Sequence, residues 1–240
     1  MRNSQKLSPE VDYRALRFSD LTSPAFRHLF YLLYWPVFGF FFAYVERLQG
    51  VRDYYPVYSP LDDLIPFCEW FLLPYLFWFV YLVGFHLYAL AYDVEAFKRL
   101  MRFVMLTYSV SMLIYLFLPT CQELRPETFA RDNFLTRFMK DFYSFDTNTN
   151  VCPSIHVIGS LAVCGAAWHS KAFRTPAWRT AFAVTAFLIS ISTVFLKQHS
   201  ILDVFAAIPI CALGWILFFR KPEENPQTPQ REKPREKAVV

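Results

Sequence analysis

The sequence predicts an all-α fold: a polytopic membrane protein built as a bundle of six transmembrane helices. Two observations carry this. Hydrophobic residues make up 55% of the 240 residues, aromatics 20% and charged residues only 18%, which excludes an ordinary soluble domain. The charges also avoid several windows of about 20 residues, the length a helix needs to cross a ~30 Å hydrocarbon core. The net charge of +4 carries no nucleic-acid signal, because the basic residues gather in short connections and tails.

Residues 1–23 read as a polar, basic tail, with Arg2, Lys6, Arg14 and Arg17. The first 20 residues show no cleavable signal peptide, so the first span is expected to direct insertion. Span 1 covers about Phe26–Tyr44, and Pro36 inside it predicts a kink, which membrane helices tolerate. A polar connection, Val51–Ile65, follows; its Asp62 and Asp63 read as caps for the next apolar run. Span 2 covers about Pro66–Ala91. Its His86 reads as a hydrogen-bonded packing residue, and Glu69 is an outside candidate for lining a polar cavity.

Span 3 runs over about Phe103–Leu118 and ends at Pro119. The longest internal connection, Thr120–Val151, comes next; loops of this length are commonly functional or disordered. Span 4 runs from Pro153 to about Trp168, and its small residues favour close helix packing. Spans 5 and 6 cover about Ala177–Phe195 and Ile201–Phe219. Residues 221–240, rich in Lys, Glu, Pro and Gln, read as a disordered tail, leaving 24–220 as one transmembrane catalytic domain. The five cysteines lack CxxC or finger spacing, which argues against a zinc module. Cys121 and Cys152 flank the long connection and are expected as free thiols rather than a disulfide, which would need an oxidising compartment.

The basic residues set an orientation. Those of the N-terminal tail, of the 2–3 connection (Lys98, Arg99, Arg102), of the 4–5 connection (Lys171, Arg174, Arg179) and of the C-terminal tail (Arg220, Lys221) all fall on one side. Both termini are therefore expected in the cytoplasm, and connections 1–2, 3–4 and 5–6 outside. This topology brings together residues far apart in the chain. Lys197, Gln198, His199 and Asp203 form a polar knot between spans 5 and 6, and ionisable groups so placed read by default as functional. Arg125 follows span 3 and His156 opens span 4, on the same outer face.

An arginine, two histidines and an aspartate at one membrane surface suit phosphoryl transfer. Arginine binds phosphate oxygens bidentately; one histidine can attack phosphorus while the other protonates the leaving oxygen. An aspartate beside the nucleophilic histidine would fix its tautomer. Pro153 suits the first residue of a helix, which would put Ser154, Ile155 and His156 in a first turn able to receive an anion. Each residue also has a plainer reading. Ser200-Ile-Leu-Asp203 matches a capping box, Arg125 could be a solvated loop cation, Ser154 a turn residue and His156 structural. Their convergence on one face favours the chemical reading.

Leu124-Arg125-Pro126, Pro153-Ser154-Ile155-His156 and His199-x-x-x-Asp203 resemble the three signature blocks of the type 2 phosphatidic acid phosphatase superfamily. The resemblance implies a phosphatidic acid phosphatase type 2-like helical bundle that hydrolyses a lipid phosphate monoester or diphosphate, with no metal and no cofactor. It implies His199 as the nucleophile forming a phosphohistidine, Asp203 as its orienting partner, His156 as the general acid, and Arg125 and Ser154 as phosphate ligands. Two positions depart from the family pattern. Leu118 stands where a lysine is usual, seven residues before the arginine, and Ser192-Thr193 stands where Ser-Arg is usual. Lys197 is the candidate replacement for the lost phosphate-binding charge, with snorkelling to the interface as its plainer role. Loss of those cations also resembles the branch with sphingomyelin and inositol phosphorylceramide synthases, which implies transfer to an alcohol acceptor as an alternative. The expected partners are the bilayer and a phospholipid or isoprenoid phosphate. A serine hydrolase using Ser154, a catalytically silent lipid-binding relative and a transporter are the weaker readings.

Overall fold

A computed structural model describes residues 8–220. Among these residues the chain is mostly helical: α1 (Tyr34–Glu46), α2 (Pro60–Leu64), α3 (Leu72–Tyr92), α4 (Val94–Phe117), α5 (Phe134–Phe145), α6 (Ile155–His169), α7 (Pro176–Phe195) and α8 (Ile201–Phe218). Stretches of 3-10 helix extend α1 and α3 at their N-terminal ends, Arg27–Leu33 and the single turn Glu69–Phe71. Five of these segments are long and apolar enough to cross a membrane: Arg27–Glu46, Glu69–Tyr92, Val94–Phe117, Pro176–Phe195 and Ile201–Phe218. The protein is thus an all-α integral membrane protein.

Helix α6 is the shorter apolar one, with 15 residues, about 22 Å at 1.5 Å per residue and short of a ~30 Å core. It packs against α3, α4, α7 and α8 at once, and its small residues let the neighbours in. A methyl group on Gly159 would meet the Tyr108 hydroxyl at 2.5 Å, and one on Gly165 would meet the Phe219 ring at 2.6 Å. Around it lies a core with Phe97, Leu100, Phe103, Tyr108, Ile158 and Ile189.

Several boundaries differ from the sequence expectation for physical reasons. Pro36 lies within the Arg27–Glu46 segment, in the first turn of α1, just after the chain changes from 3-10 to α geometry. The 2–3 connection is not a loop: α3 and α4 meet at Asp93, whose carboxylate accepts from the Ala96 N–H at 3.0 Å. Lys98 and Arg99 therefore lie on the first turns of α4, beside Glu95 at 3.6 and 3.7 Å. The N-terminal segment folds onto this junction. The Glu10 carboxylate accepts from the Val94 N–H (2.7 Å), and the Tyr13 hydroxyl donates to the Leu90 carbonyl (2.7 Å). The expected disordered tail lies outside the described residues.

The polar connections gather at the opposite end. A two-stranded parallel ladder, β1 (Tyr55–Pro56) on β2 (Thr120–Cys121), ties the 1–2 connection to the 3–4 connection. The Asn150 N–H donates to the Thr120 carbonyl at 2.6 Å and draws the end of that connection back to its start. Helix α5 lies inside this long connection, a helix the apolar-span reading did not anticipate.

Candidate active site

The site is built from three chain segments meeting where α6 and α8 begin. At the α7–α8 turn, Lys197 adopts a left-handed backbone (φ 53°), which reverses the chain and presents Gln198 and His199 inward. Both are nearly fully buried. His199 Nδ1 lies 3.0 Å from Asp203 Oδ2, one turn into α8. The same oxygen accepts from the Ser200 N–H at 3.1 Å. One carboxylate oxygen thus closes the helix and contacts the imidazole. With Nδ1 on the carboxylate, Nε2 is the ring nitrogen that Asp203 leaves uncontacted.

Helix α6 begins two residues later than expected, at Ile155 instead of Pro153. Ser154 is its N-cap, Ile155 and His156 are its first two residues, and Pro153 precedes the cap. The Ser154 N–H donates to the Asp203 carbonyl at 3.1 Å, which locks the start of α6 to α8. Ser154 Oγ makes no capping bond; it is buried and has no hydrogen-bond partner among the described residues. The His156 ring lies between Tyr75 and Trp78, at centroid distances of 4.6 and 4.5 Å, and 5.7 Å from the His199 ring. Its Nδ1 is buried without a hydrogen-bond partner among the described residues. Both histidines line a small cavity of about 50 Å³, with Tyr115, Asp146, Asn150 and Gln198 among its other walls. A larger hollow of about 290 Å³, lined by Leu73, Pro74, Phe77, Thr185, Leu188 and Ile189 of α3 and α7, holds no ionisable group.

Arg125 stands behind the cavity wall. Its Nη1 donates to the Tyr143 carbonyl (2.8 Å). Its Nη2 donates to the carbonyls of Asp146 (2.8 Å) and Thr147 (2.9 Å) and to Gln198 Oε1 (2.6 Å). The guanidinium also lies over the Tyr143 ring at 4.6 Å. Burial lowers its pKa, and the nearby Asp146 opposes that. Asp146 Oδ2 in turn accepts from the Tyr75 hydroxyl (3.0 Å) and Gln198 Nε2 (2.8 Å). Burial raises the pKa of this carboxyl, against the pull of Tyr75 and Arg125.

Lys197 is not brought to this cluster. Its Nζ donates to the Asp62 carbonyl at 2.6 Å, so the ammonium braces the turn from outside. Burial lowers its pKa, opposed by Asp62 and Asp63. The two departures from the family pattern supply no charge either. Leu118 is exposed at the end of α4, and the Thr193 hydroxyl donates to the Ser190 carbonyl of its own helix at 2.8 Å. Asp62 does more than cap α2. Fully buried, it takes the Ser200 hydroxyl on Oδ2 (2.6 Å) and the Ile201 N–H on Oδ1 (2.8 Å). Glu69 accepts from Asn133 Nδ2 at 3.0 Å and anchors α5 rather than lining the cavity. His86 is a packing residue: its Nδ1 donates to the Leu82 carbonyl at 2.7 Å. Cys121 and Cys152 are free thiols.

Sequence reasoning missed Asp146, Tyr75, Trp78 and the bracing role of Asp62. Gln198 stood in the polar knot without a role. Its position beside His199 was the one signal available; Asp146 sits in no motif, and Tyr75 and Trp78 look like ordinary residues of an apolar span.

A buried histidine–aspartate pair, a second histidine on the same cavity and an arginine behind its wall are residue types suited to phosphoryl transfer, set in a membrane helix bundle. The model of the PAP2 superfamily matches residues 99–227, which include all three segments of the site and more than half of the chain; the protein belongs to that superfamily. It is thereby a lipid enzyme of the phosphatase or phosphotransferase type. No curated protein and no solved structure matches the chain.

Proposed function

We propose that the protein is an integral membrane lipid phosphatase that hydrolyses a phosphate monoester or diphosphate of a lipid through a phosphohistidine. The observation that carries this reading is the 3.0 Å contact of His199 Nδ1 with the buried Asp203, which leaves Nε2 as the nucleophile on a cavity shared with His156. In the first step His199 Nε2 bonds to phosphorus, and the lipid oxygen leaves with a proton from His156. Asp203 stabilises the imidazolium that forms. In the second step His156 takes a proton from water, which attacks phosphorus and releases His199 and phosphate. Arg125 exchanges its bond to Gln198 for a phosphate oxygen, and Ser154 Oγ and the first N–H groups of α6 receive another. With the termini cytoplasmic and the short α6 counted as a sixth span beside the five long ones, the site opens on the extracytoplasmic face, as the distribution of basic residues supports. The unpartnered Ser154 hydroxyl speaks against a serine hydrolase, which needs that oxygen hydrogen-bonded to a base.

One observation favours a second reading, transfer to an alcohol. The cavity walls carry Asp146, Thr147, Thr149 and Asn150, hydrogen-bonding groups suited to hydroxyls, while Lys197 is turned away. A single assay separates the two: purified protein with mixed phospholipids, lipid phosphates and diphosphates, analysed for released phosphate and for new phosphodiesters. Phosphate release alone supports the phosphatase, new phosphodiesters the transferase, and absence of both with the whole panel would defeat both readings.

A further inference from the structure

Helix α5 carries three distinct faces. Met139 and Thr136 are buried against the start of α3, where Met139 joins Leu72, Tyr75 and Leu196 in a small core. Phe134, Phe138 and Phe145 are exposed by 77%, 37% and 85% and share a stripe about 40° wide at roughly 100° per residue. Arg137, Lys140, Asp141 and Ser144 fill the remaining arc, and all four are exposed. An exposed phenylalanine stripe beside a polar, charged arc is the pattern of a helix lying in a membrane interface, rings toward the acyl chains and charges toward water.

The position of α5 on the bundle supplies the second argument. It packs on the 3-10 turn Glu69–Phe71 that opens the membrane-crossing segment Glu69–Tyr92. Glu69 and Asn133, joined at 3.0 Å, fix its N-terminal end at that level. The helix therefore stands at the depth where a spanning helix leaves the hydrocarbon. Trp70 at this level is 59% exposed, and tryptophan is favoured at membrane interfaces. The stripe thus continues a lipid-facing surface the fold already has.

We propose that α5 is an interfacial helix seated in the bilayer through Phe134, Phe138 and Phe145, so that the lipid surface itself completes this end of the fold. The consequence reaches the site. The carbonyls of Tyr143 and Asp146, at the end of α5, hold the Arg125 guanidinium, so the helix resting on the lipid also positions that cation.

The test uses the full chain in phosphatidylcholine vesicles containing a traced phospholipid. Photoreactive p-benzoylphenylalanine replaces Phe138, Phe145, Lys140 or Ser144, one at a time, and Val80 on the exposed face of α3 serves as the lipid-facing standard. In preparations where the Val80 position labels, lipid adducts are expected at 138 and 145, several-fold above those at 140 and 144. Equal labelling at all four positions would overturn the proposal. So would cross-links from 138 and 145 to a second copy of the protein in place of lipid. Neither result depends on which reaction the site performs.

Discussion

Helices α6 and α8 start at the same end of the bundle, each from a serine, and their first turns are completed in opposite ways. At α8 the donors are filled. Ser200 Oγ accepts from the Leu202 N–H at 3.2 Å, Asp203 from the Ser200 N–H at 3.1 Å, and Asp62 from the Ile201 N–H at 2.8 Å. At α6 the serine makes no capping bond, and its hydroxyl is buried without a partner among the described residues. A filled terminus holds position, whereas an open one offers N–H groups and a positive dipole end to an anion. The bundle thus fixes His199 on the closed terminus, and on the proposed reading the open one beside His156 receives the phosphate.

This contrast can be broken in order of effect. His156→Ala removes the acid on the open side and is expected to lower kcat by about 10²–10⁴-fold, with thermal unfolding unchanged; a loss below threefold would remove His156 from the chemistry. Asp62→Ala strips the closed side of a buried acceptor. It is expected to cost about 2–3 kcal/mol of stability, measured by unfolding in detergent, because Ser200 and Ile201 lose a charged partner.

How far the sequence revealed this depends on the residue. Spans 2, 5 and 6 are plain in it, because long apolar windows bounded by charge or proline leave a chain few alternatives in lipid. The convergence of Arg125, His156 and His199 followed from topology alone. Helix α5 stayed hidden, since its pattern is amphipathic and its cap, Asn133, resembles ordinary loop sequence. Lys197 was assigned to phosphate by proximity to His199 along the chain. The left-handed turn at its own backbone sends the side chain away, and no spacing rule reports that.

The next comparison sets serine against serine. Ser154→Ala is expected to reduce kcat/KM by about tenfold, the value of one hydrogen bond to a charged group, without destabilising the protein. Ser200→Ala is expected to cost about 1 kcal/mol of stability through the lost cap. The reverse assignment of the two losses would dissolve the distinction between the termini. Lys197→Ala is the smallest case. Its single bond to the Asp62 carbonyl predicts a stability loss of about 1 kcal/mol and an unchanged KM; a markedly raised KM would mean that the ammonium reaches the phosphate after all.

The central claim is that His199 carries the phosphoryl group. Rapid quenching of the purified protein with a lipid substrate labelled in the transferred phosphate tests it most directly. The expected product is a phosphoenzyme stable to base and labile to acid, mapped to His199 and missing from His199→Ala, which is also inactive. Turnover by His199→Ala, or a label that maps to Ser154, would contradict the account.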